Sequence, residues 1–115
     1  MSETELHILR ESVDLLILKS LSWGPRHGYG IAEWIEGATG ATVLLEEGTL
    51  YPALHRLAAK KLVKSEWGES ENNRRARFYD LTPSGRTRLA VQTSTWQRHV
   101  EAIAQALAAR TARTT

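Results

Sequence analysis

The last third of the chain carries a heptad-type apolar pattern, and this pattern constrains the fold more than any other feature. Its positions are spaced 4, 3, 4, 3 and 4 residues apart, at Leu89, Thr93, Trp96, Val100, Ile103 and Leu107. A threonine followed by proline at 82–83 is a strong helix start, so we predict one helix from Pro83 to about Arg110. No other segment of the 115 residues could form a helix long enough to cover this seam. The seam therefore predicts a partner subunit, and we expect a homodimer.

Composition excludes several classes of protein. A chain of 115 residues is one domain, and 42% hydrophobic with 24% charged residues is typical of a folded soluble protein. The absence of cysteine excludes disulfides, cysteine zinc sites and thiol nucleophiles. The four histidines lack metal-ligand spacing and no nucleophile–base pattern is present, so we expect no metal, no cofactor and no enzyme. No signal peptide or membrane-length apolar run is present, so we expect a cytoplasmic protein without a membrane partner.

Two helices are predicted before residue 40. Apolar residues at helical spacing run from Leu6 to Leu21, and this helix ends before the Gly-Pro pair at 24–25 because proline disfavours helix in the preceding residue. Its apolar face is wide, so it needs packing partners on more than one side. A shorter second helix fits Tyr29 to Glu36 and is broken by glycines afterwards.

The third helix has a clean apolar stripe formed by Leu50, Leu54 and Leu57. Proline at position 52 is tolerable only in the first turn, so the helix is predicted to start close to Thr49, a good N-cap residue. A helix turns by about 100° per residue, so the residues that face away from the stripe are Thr49, Pro52, His55, Arg56 and Ala59. Lys60 lies at the margin of this outer face. The outer face of this helix is therefore polar, basic or small.

A hairpin with a basic tip is predicted next. Val63, Ser65 and Trp67 alternate with charged residues, residues 76–82 form a second strand, and the polar connection ends in Asn72, Asn73, Arg74 and Arg75. Residues 55–88 hold 9 Lys/Arg against 4 Asp/Glu, a balance of +5, whereas residues 1–54 hold 3 against 8, a balance of −5. An acidic first half before a basic middle indicates that the middle third meets a polyanion.

This order of elements is that of a winged helix-turn-helix, an α+β and mostly α fold with a long C-terminal dimerisation helix. We divide the chain into a DNA-binding domain at 1–82 and a dimerisation helix at 83–115, within one compact unit. A helix fits the major groove of double-stranded DNA and reads base edges there. A basic hairpin beside it reaches phosphates or the adjacent minor groove.

Three blocks of the sequence resemble the PadR family of transcriptional regulators, of the short type with a single long C-terminal helix. They are L-L-I-L-K-S-L-S-W-G-P-R-H-G-Y-G-I at 15–31, G-T-L-Y-P-A-L-H-R-L at 48–57 and R-F-Y-D-L-T-P-S-G-R at 77–86. The resemblance implies a homodimeric, usually repressing, DNA-binding protein, and the two-fold symmetry of a dimer predicts a palindromic operator. Its third helix would enter the major groove, its wing would track the minor groove, and its last helix would supply the dimer contacts. At one helix end, Lys61 stands where the family usually has glycine.

The resemblance also implies which residues meet DNA. The recognition-helix surface would comprise Thr49, Tyr51, Pro52, His55 and Arg56, and Tyr29 would approach the DNA backbone. The geometry of helix and hairpin adds Lys60, Asn73, Arg74, Arg75 and Arg77. We expect Arg56 to contact guanine and the hairpin arginines to contact phosphates. Two alternatives stay open: Tyr51 packs under the third helix, and the arginines form a solvated surface cluster.

The predicted dimer interface comprises Leu89, Trp96, Val100, Ile103 and Leu107. Trp96 has two interpretations: it fills this seam, or with Val100 it lines a cavity for a flat aromatic or cationic effector, as in multidrug-sensing relatives. The alternative to a DNA-binding repressor is a winged-helix module for protein–protein contact without a DNA role. Such a module would carry an apolar or acidic third-helix face, whereas this face is polar and basic.

Overall fold

The computed structural model of the chain describes residues 10–112. In chain order its elements are α1 Arg10–Ser20, β1 Arg26–His27, α2 Gly28–Ala38, α3 Glu47–Ala59, β2 Val63–Glu69, β3 Arg75–Leu81 and α4 Pro83–Ala108. Within residues 10–112, four helices and a small three-stranded sheet confirm the predicted winged helix-turn-helix fold with a long last helix. The predicted start of the first helix at Leu6 lies outside the described residues.

The core lies between α1, α2 and α3 and is closed by the base of the sheet. The predicted α3 stripe of Leu50, Leu54 and Leu57 is buried, each residue being at most 2% exposed. Val63 of β2 and Leu81 of β3 extend the same cluster to the sheet. From α1, its following turn and α2, the large side chains without exposed surface are Ile17, Leu18, Leu21, Ile31 and Ile35. Burial of this apolar set is the main stabilising term of the fold.

The sheet has β3 at its centre, antiparallel to β1 on one side and to β2 on the other. The register places Ser65 opposite Tyr79 and Trp67 opposite Arg77. β1 was not predicted, because two residues are too few to show an alternating pattern. This short strand pairs with β3 directly before α2 begins, so it brings the start of α2 against the hairpin.

The predicted start of α3 at Thr49 is wrong. The helix begins at Glu47, and its N-cap is Glu46, whose side chain makes no capping hydrogen bond. Pro52 therefore lies in the second turn. The backbone bond that proline cannot make would have gone to the carbonyl of Gly48, and this carbonyl belongs to the exposed first turn. Water can satisfy that group, which explains why the helix continues through the proline.

The end of α3 is a Schellman turn with lysine at the position that usually holds glycine. The amide of Leu62 donates to the carbonyl of Leu57 at 2.9 Å, and the amide of Lys61 donates to that of Ala58 at 2.9 Å. Lys61 adopts a φ of 60°, in the left-handed region that a side chain disfavours. The turn into β2 therefore keeps the Schellman hydrogen bonds although lysine stands at the left-handed position.

The start of α4 follows the sequence prediction. The Thr82 Oγ1 accepts a hydrogen bond from the Gly85 amide at 3.0 Å and donates one to the Lys61 carbonyl at 2.7 Å, with proline at the first helical position. Gly85 packs so closely on the Leu62 carbonyl that any side chain there would collide with it. These contacts fix the base of α4 against the α3–β2 junction. Within residues 10–112, none of the helices combines the length and hydropathy needed to cross a bilayer.

Candidate nucleic-acid interface

The outer face of α3 is polar and open to solvent on the side opposite its buried leucines. Thr49, Pro52, His55 and Ala59 are exposed, as the helical spacing predicts, and Lys60 is exposed at the C-terminal end. None of these side chains is acidic. A face of this kind can approach base edges and phosphates without charge repulsion.

Arg56 does not belong to this face, and its outward orientation was predicted wrongly. Its Nη2 donates to the Asp14 Oδ1 of α1 at 3.0 Å, and the two side chains are 28% and 12% exposed. Its Nε is buried without a hydrogen-bond partner among the described residues. Arg56 lies at the edge of the apolar stripe, and its long side chain reaches inward to a buried carboxylate. It therefore holds α3 against α1 instead of presenting a free guanidinium.

Two tyrosines lie where the N-termini of α2 and α3 meet. The Tyr51 ring packs on Gly28, where an added side chain would collide with the phenol. Tyr51 nevertheless stays 38% exposed, so it both packs on Gly28 and reaches the surface, and Tyr29 is 71% exposed beside it. His27 caps α2 by accepting the Gly30 amide hydrogen at Nδ1, at 3.0 Å. The result is a pair of phenols on one surface, held by a fixed helix start.

The hairpin of β2 and β3 is closed by a hydrogen-bonded tip. The Ser70 amide donates to the Arg74 carbonyl at 2.8 Å, and the Asn73 amide donates to the Ser70 carbonyl at 2.9 Å. Asn73 has a φ of 57°, a left-handed conformation that asparagine tolerates better than most residues. All three arginines of the hairpin are exposed, and we name them the wing arginines: Arg74, Arg75 and Arg77.

Trp67 of β2 also lies on this surface. From the sequence we assign it to a strand but not to the DNA-binding residues. It is 55% exposed. The guanidinium carbons of Arg75 and Arg77 lie 4.5 and 5.5 Å from its ring centroid. The Arg77 Nε also donates to the Ser65 Oγ at 2.9 Å. The alternating pattern of β2 predicts which face of the strand carries Trp67. It does not predict the β2–β3 register, which brings the two arginines to the Trp67 ring.

An open cleft of about 460 Å³ joins the wing to the starts of α2 and α3. We name it the wing cleft; its aromatic and basic lining includes His27, Tyr29, Tyr51, Trp67, Arg74, Arg75, Arg77 and Tyr79. The structure thus brings the predicted tyrosines and wing arginines together, whereas His55 and Lys60 lie outside this lining. Burial raises the pKa of the Tyr79 phenol above its usual value. The charge of Arg77 lowers this pKa in part, and Tyr51 raises it further. That phenol therefore stays neutral near pH 7.

The opposite flank of the two tyrosines is acidic. A groove of about 540 Å³ between α2 and the start of α3 is lined by the carboxylates of Glu33, Glu36, Glu46 and Glu47. Within residues 10–112, no group of three or more such side chains is arranged to hold a metal ion. The tyrosines consequently lie between the wing cleft, whose lining holds three arginines and one glutamate, and an acidic groove, so a polyanion is attracted to the side of the wing cleft.

The seam of α4 is left open in the single chain. Trp96, Val100 and Ile103 are each between 43% and 45% exposed, and Leu107 is 81% exposed, whereas Leu89 is half-buried against the core. Trp96 stands beside His99, with ring centroids 5.7 Å apart, over a cleft of about 410 Å³ between α1 and α4. Glu11 and Leu15 also line this cleft, but Val100 lies outside its lining. Trp96 and Val100 are therefore not part of one pocket within the single chain.

Comparison with known proteins places the chain in a family. The sequence model of the transcriptional regulator PadR-like family matches residues 17–91. The chain belongs to the PadR-like family. A transcriptional regulator from Clostridium thermocellum is 31% identical with a TM-score of 0.75, covering 84% of this chain and 93% of its own. A PadR-family transcription regulator from Clostridium difficile is also 31% identical, with a TM-score of 0.72 over 83% of this chain and 97% of its own.

A protein from Lysinibacillus sphaericus is 27% identical over 96 residues, which are 84% of this chain and 88% of that protein. PadR-like proteins are DNA-binding transcriptional regulators without enzymatic activity, and this chain is one of them. The predicted family and fold are thereby confirmed.

Proposed function

We propose that the protein is a homodimeric repressor that binds a palindromic operator in double-stranded DNA. The observation that carries the proposal is the wing cleft, which joins the exposed wing arginines to Tyr29 of α2 and Tyr51 of α3. The α3 face enters the major groove and the wing lies along the adjacent minor groove. Because the proposed target is double-stranded DNA, we place the protein in the cytoplasm.

The residues divide by role. Thr49, Pro52 and His55 contact base edges, because they are exposed on the face opposite the buried stripe. Phosphate and groove contacts come from Tyr29, Tyr51, Lys60, Asn73 and the wing arginines. Arg56 is left out of this interface, because Asp14 already holds its guanidinium.

Dimerisation follows from the α4 seam. Four large apolar side chains in its outer half, at positions 96, 100, 103 and 107, are exposed in the single chain. A second copy of the same helix would cover them in a symmetric pair. Two-fold symmetry then requires an inverted repeat with half-sites about one helical turn apart.

We further propose that a flat aromatic or cationic effector binds at the α1–α4 cleft and releases the operator. Trp96 offers an exposed ring, and the Glu11 carboxylate lies in the same lining. Stacking and cation–π attraction would hold such a molecule. In the absence of an effector, Trp96 packs in the dimer seam.

Selection of bound sequences from a random duplex pool tests the proposal, with sedimentation of the free protein alongside. We expect a dimer, an enriched inverted repeat and binding that weakens as salt rises. Failure to retain any duplex at low salt would leave the protein-interaction module as the better account.

A further inference from the structure

Trp67 is a large aromatic side chain on an exposed position of the wing, outside the hydrophobic core. Trp67 lies opposite Arg77 on β3. The next pair on the same face of the hairpin is Glu69 opposite Arg75, which is also charged. The indole is 55% exposed, so burial of apolar surface explains little of its presence. Its ring lies against the guanidinium groups of Arg75 and Arg77.

The geometry restricts both arginines. Arg75 lies over the ring at 4.5 Å from the centroid. Arg77 is held twice, by the ring at 5.5 Å and by the Ser65 Oγ at 2.9 Å from its Nε. Arg74 at the tip stands outside this stack and serves as an internal comparison. The restricted guanidiniums line the wing cleft together with Tyr29 and Tyr51.

Restriction of this kind strengthens binding in two ways. A free arginine loses much rotamer freedom when it engages a phosphate, and a stacked arginine has already lost part of it. The cation–π attraction also grows when the pair is removed from water, as it is when DNA covers the wing. The stack is therefore more favourable in the complex than in the free protein.

We propose that Trp67 is a positioning residue that holds Arg75 and Arg77 towards the DNA backbone lying in the wing cleft. This inference rests on the proposed DNA-binding function and identifies a residue through which the wing arginines act. Trp67 works through the guanidiniums and not by contacting DNA.

The test compares Trp67→Leu with the wild-type dimer on one selected operator duplex, measured from 50 to 300 mM salt. Loss of the Trp67 stack is worth about two- to fivefold in each subunit, and the dimer holds two such stacks, so we expect roughly four- to twenty-five-fold weaker binding at low salt. The dependence of binding on salt should also become shallower, although no charge is removed, because fewer phosphates are neutralised. Trp67→Phe keeps a ring and should recover most of the affinity.

Trp23→Leu is the matched control. Trp23 is 63% exposed and lies under Lys19, whose Nζ is 4.7 Å from the ring centroid, but it is not part of the wing cleft. Its replacement should leave affinity and salt dependence unchanged. Circular dichroism melting of each variant shows whether the hairpin is still folded.

The Arg75→Gln and Arg77→Gln double variant separates the mechanisms. If Trp67 acts through these arginines, adding Trp67→Leu to that variant weakens binding no further. A further loss, or weaker binding with unchanged salt dependence, would mean that the indole meets DNA itself and would overturn the proposal. Wild-type affinity for Trp67→Leu would also overturn it. If the wild-type protein binds no duplex, the proposed function fails instead.

Discussion

Removal of the Arg56 guanidinium should destabilise the fold and leave the choice of DNA sequence intact. Arg56→Met keeps an apolar stem of similar length and deletes the charge. The Asp14 side chain, only 12% exposed, then loses a partner that lies 3.0 Å away. Removing one member of a fully buried pair costs about 3–5 kcal/mol. Because Arg56 is 28% exposed and water reaches the site, we expect a smaller loss of about 1.5–3 kcal/mol in unfolding free energy.

Urea unfolding followed by circular dichroism measures this loss. All variants are compared at one protein concentration, since the stability of a dimer depends on concentration. The double variant Asp14→Leu with Arg56→Met should recover most of the stability, because an apolar pair of similar volume can replace a buried ion pair. Lys60→Met is the control: Lys60 is an exposed cation at the end of the same helix and should change stability by less than about 0.5 kcal/mol.

The opposite outcome is equally definite. If Arg56→Met left the unfolding free energy within about 0.5 kcal/mol of the wild type and removed the preference for operator over random duplex, Arg56 would read sequence. The ion pair with Asp14 would then not be the state that binds DNA.

Three further predictions concern the turn, the dimer and the wing. Lys61→Gly should raise the unfolding free energy by about 0.5–1 kcal/mol, because glycine relieves the left-handed strain at φ 60°; a lower urea midpoint would contradict this. Val100→Asp or Ile103→Asp places charge in the α4 seam and should produce monomers in sedimentation at micromolar concentration, and an unchanged dimer in both would remove the seam from the interface. Arg74→Gln should weaken operator and random duplex in parallel, whereas His55→Ala should erode the preference for the operator, in competition assays on the two duplexes.

The parts of the fold that sequence could predict are those governed by local patterns. The Thr82-Pro83 start of α4 is readable because capping and the fixed φ of proline act within one turn. The buried stripe of α3 is readable because a helix repeats its faces regularly. The rule that places proline in the first turn of a helix fails for α3. The exposed carbonyl of Gly48 lets this helix accept Pro52 one turn later than expected.

The parts that sequence could not predict depend on contacts between elements. Helical spacing gives the direction of the Arg56 Cβ, but not the reach of its side chain to Asp14, 42 positions earlier. Strand alternation gives the face of Trp67, but the β2–β3 register decides that Arg75 and Arg77 meet it. In both cases the identity of the partner changes what a charged residue can do.

The pairing of Arg56 with Asp14 lowers the positive charge that is available to DNA. The balance of +5 over residues 55–88 counts Arg56, which is neutralised by Asp14, together with the exposed wing arginines. The acidic groove at Glu46 and Glu47 further limits attraction to the wing side of the tyrosines. If each wing arginine and Lys60 meet one phosphate, a dimer makes about eight such contacts, and the logarithm of the binding constant should fall with a slope near −7 against the logarithm of salt concentration. Replacing all three wing arginines with glutamine should reduce that slope to about −2, leaving only the contribution of Lys60. A slope that stays near −7 in this variant would place the phosphate contacts on another surface, and a fluorescence anisotropy titration from 50 to 300 mM salt measures it directly.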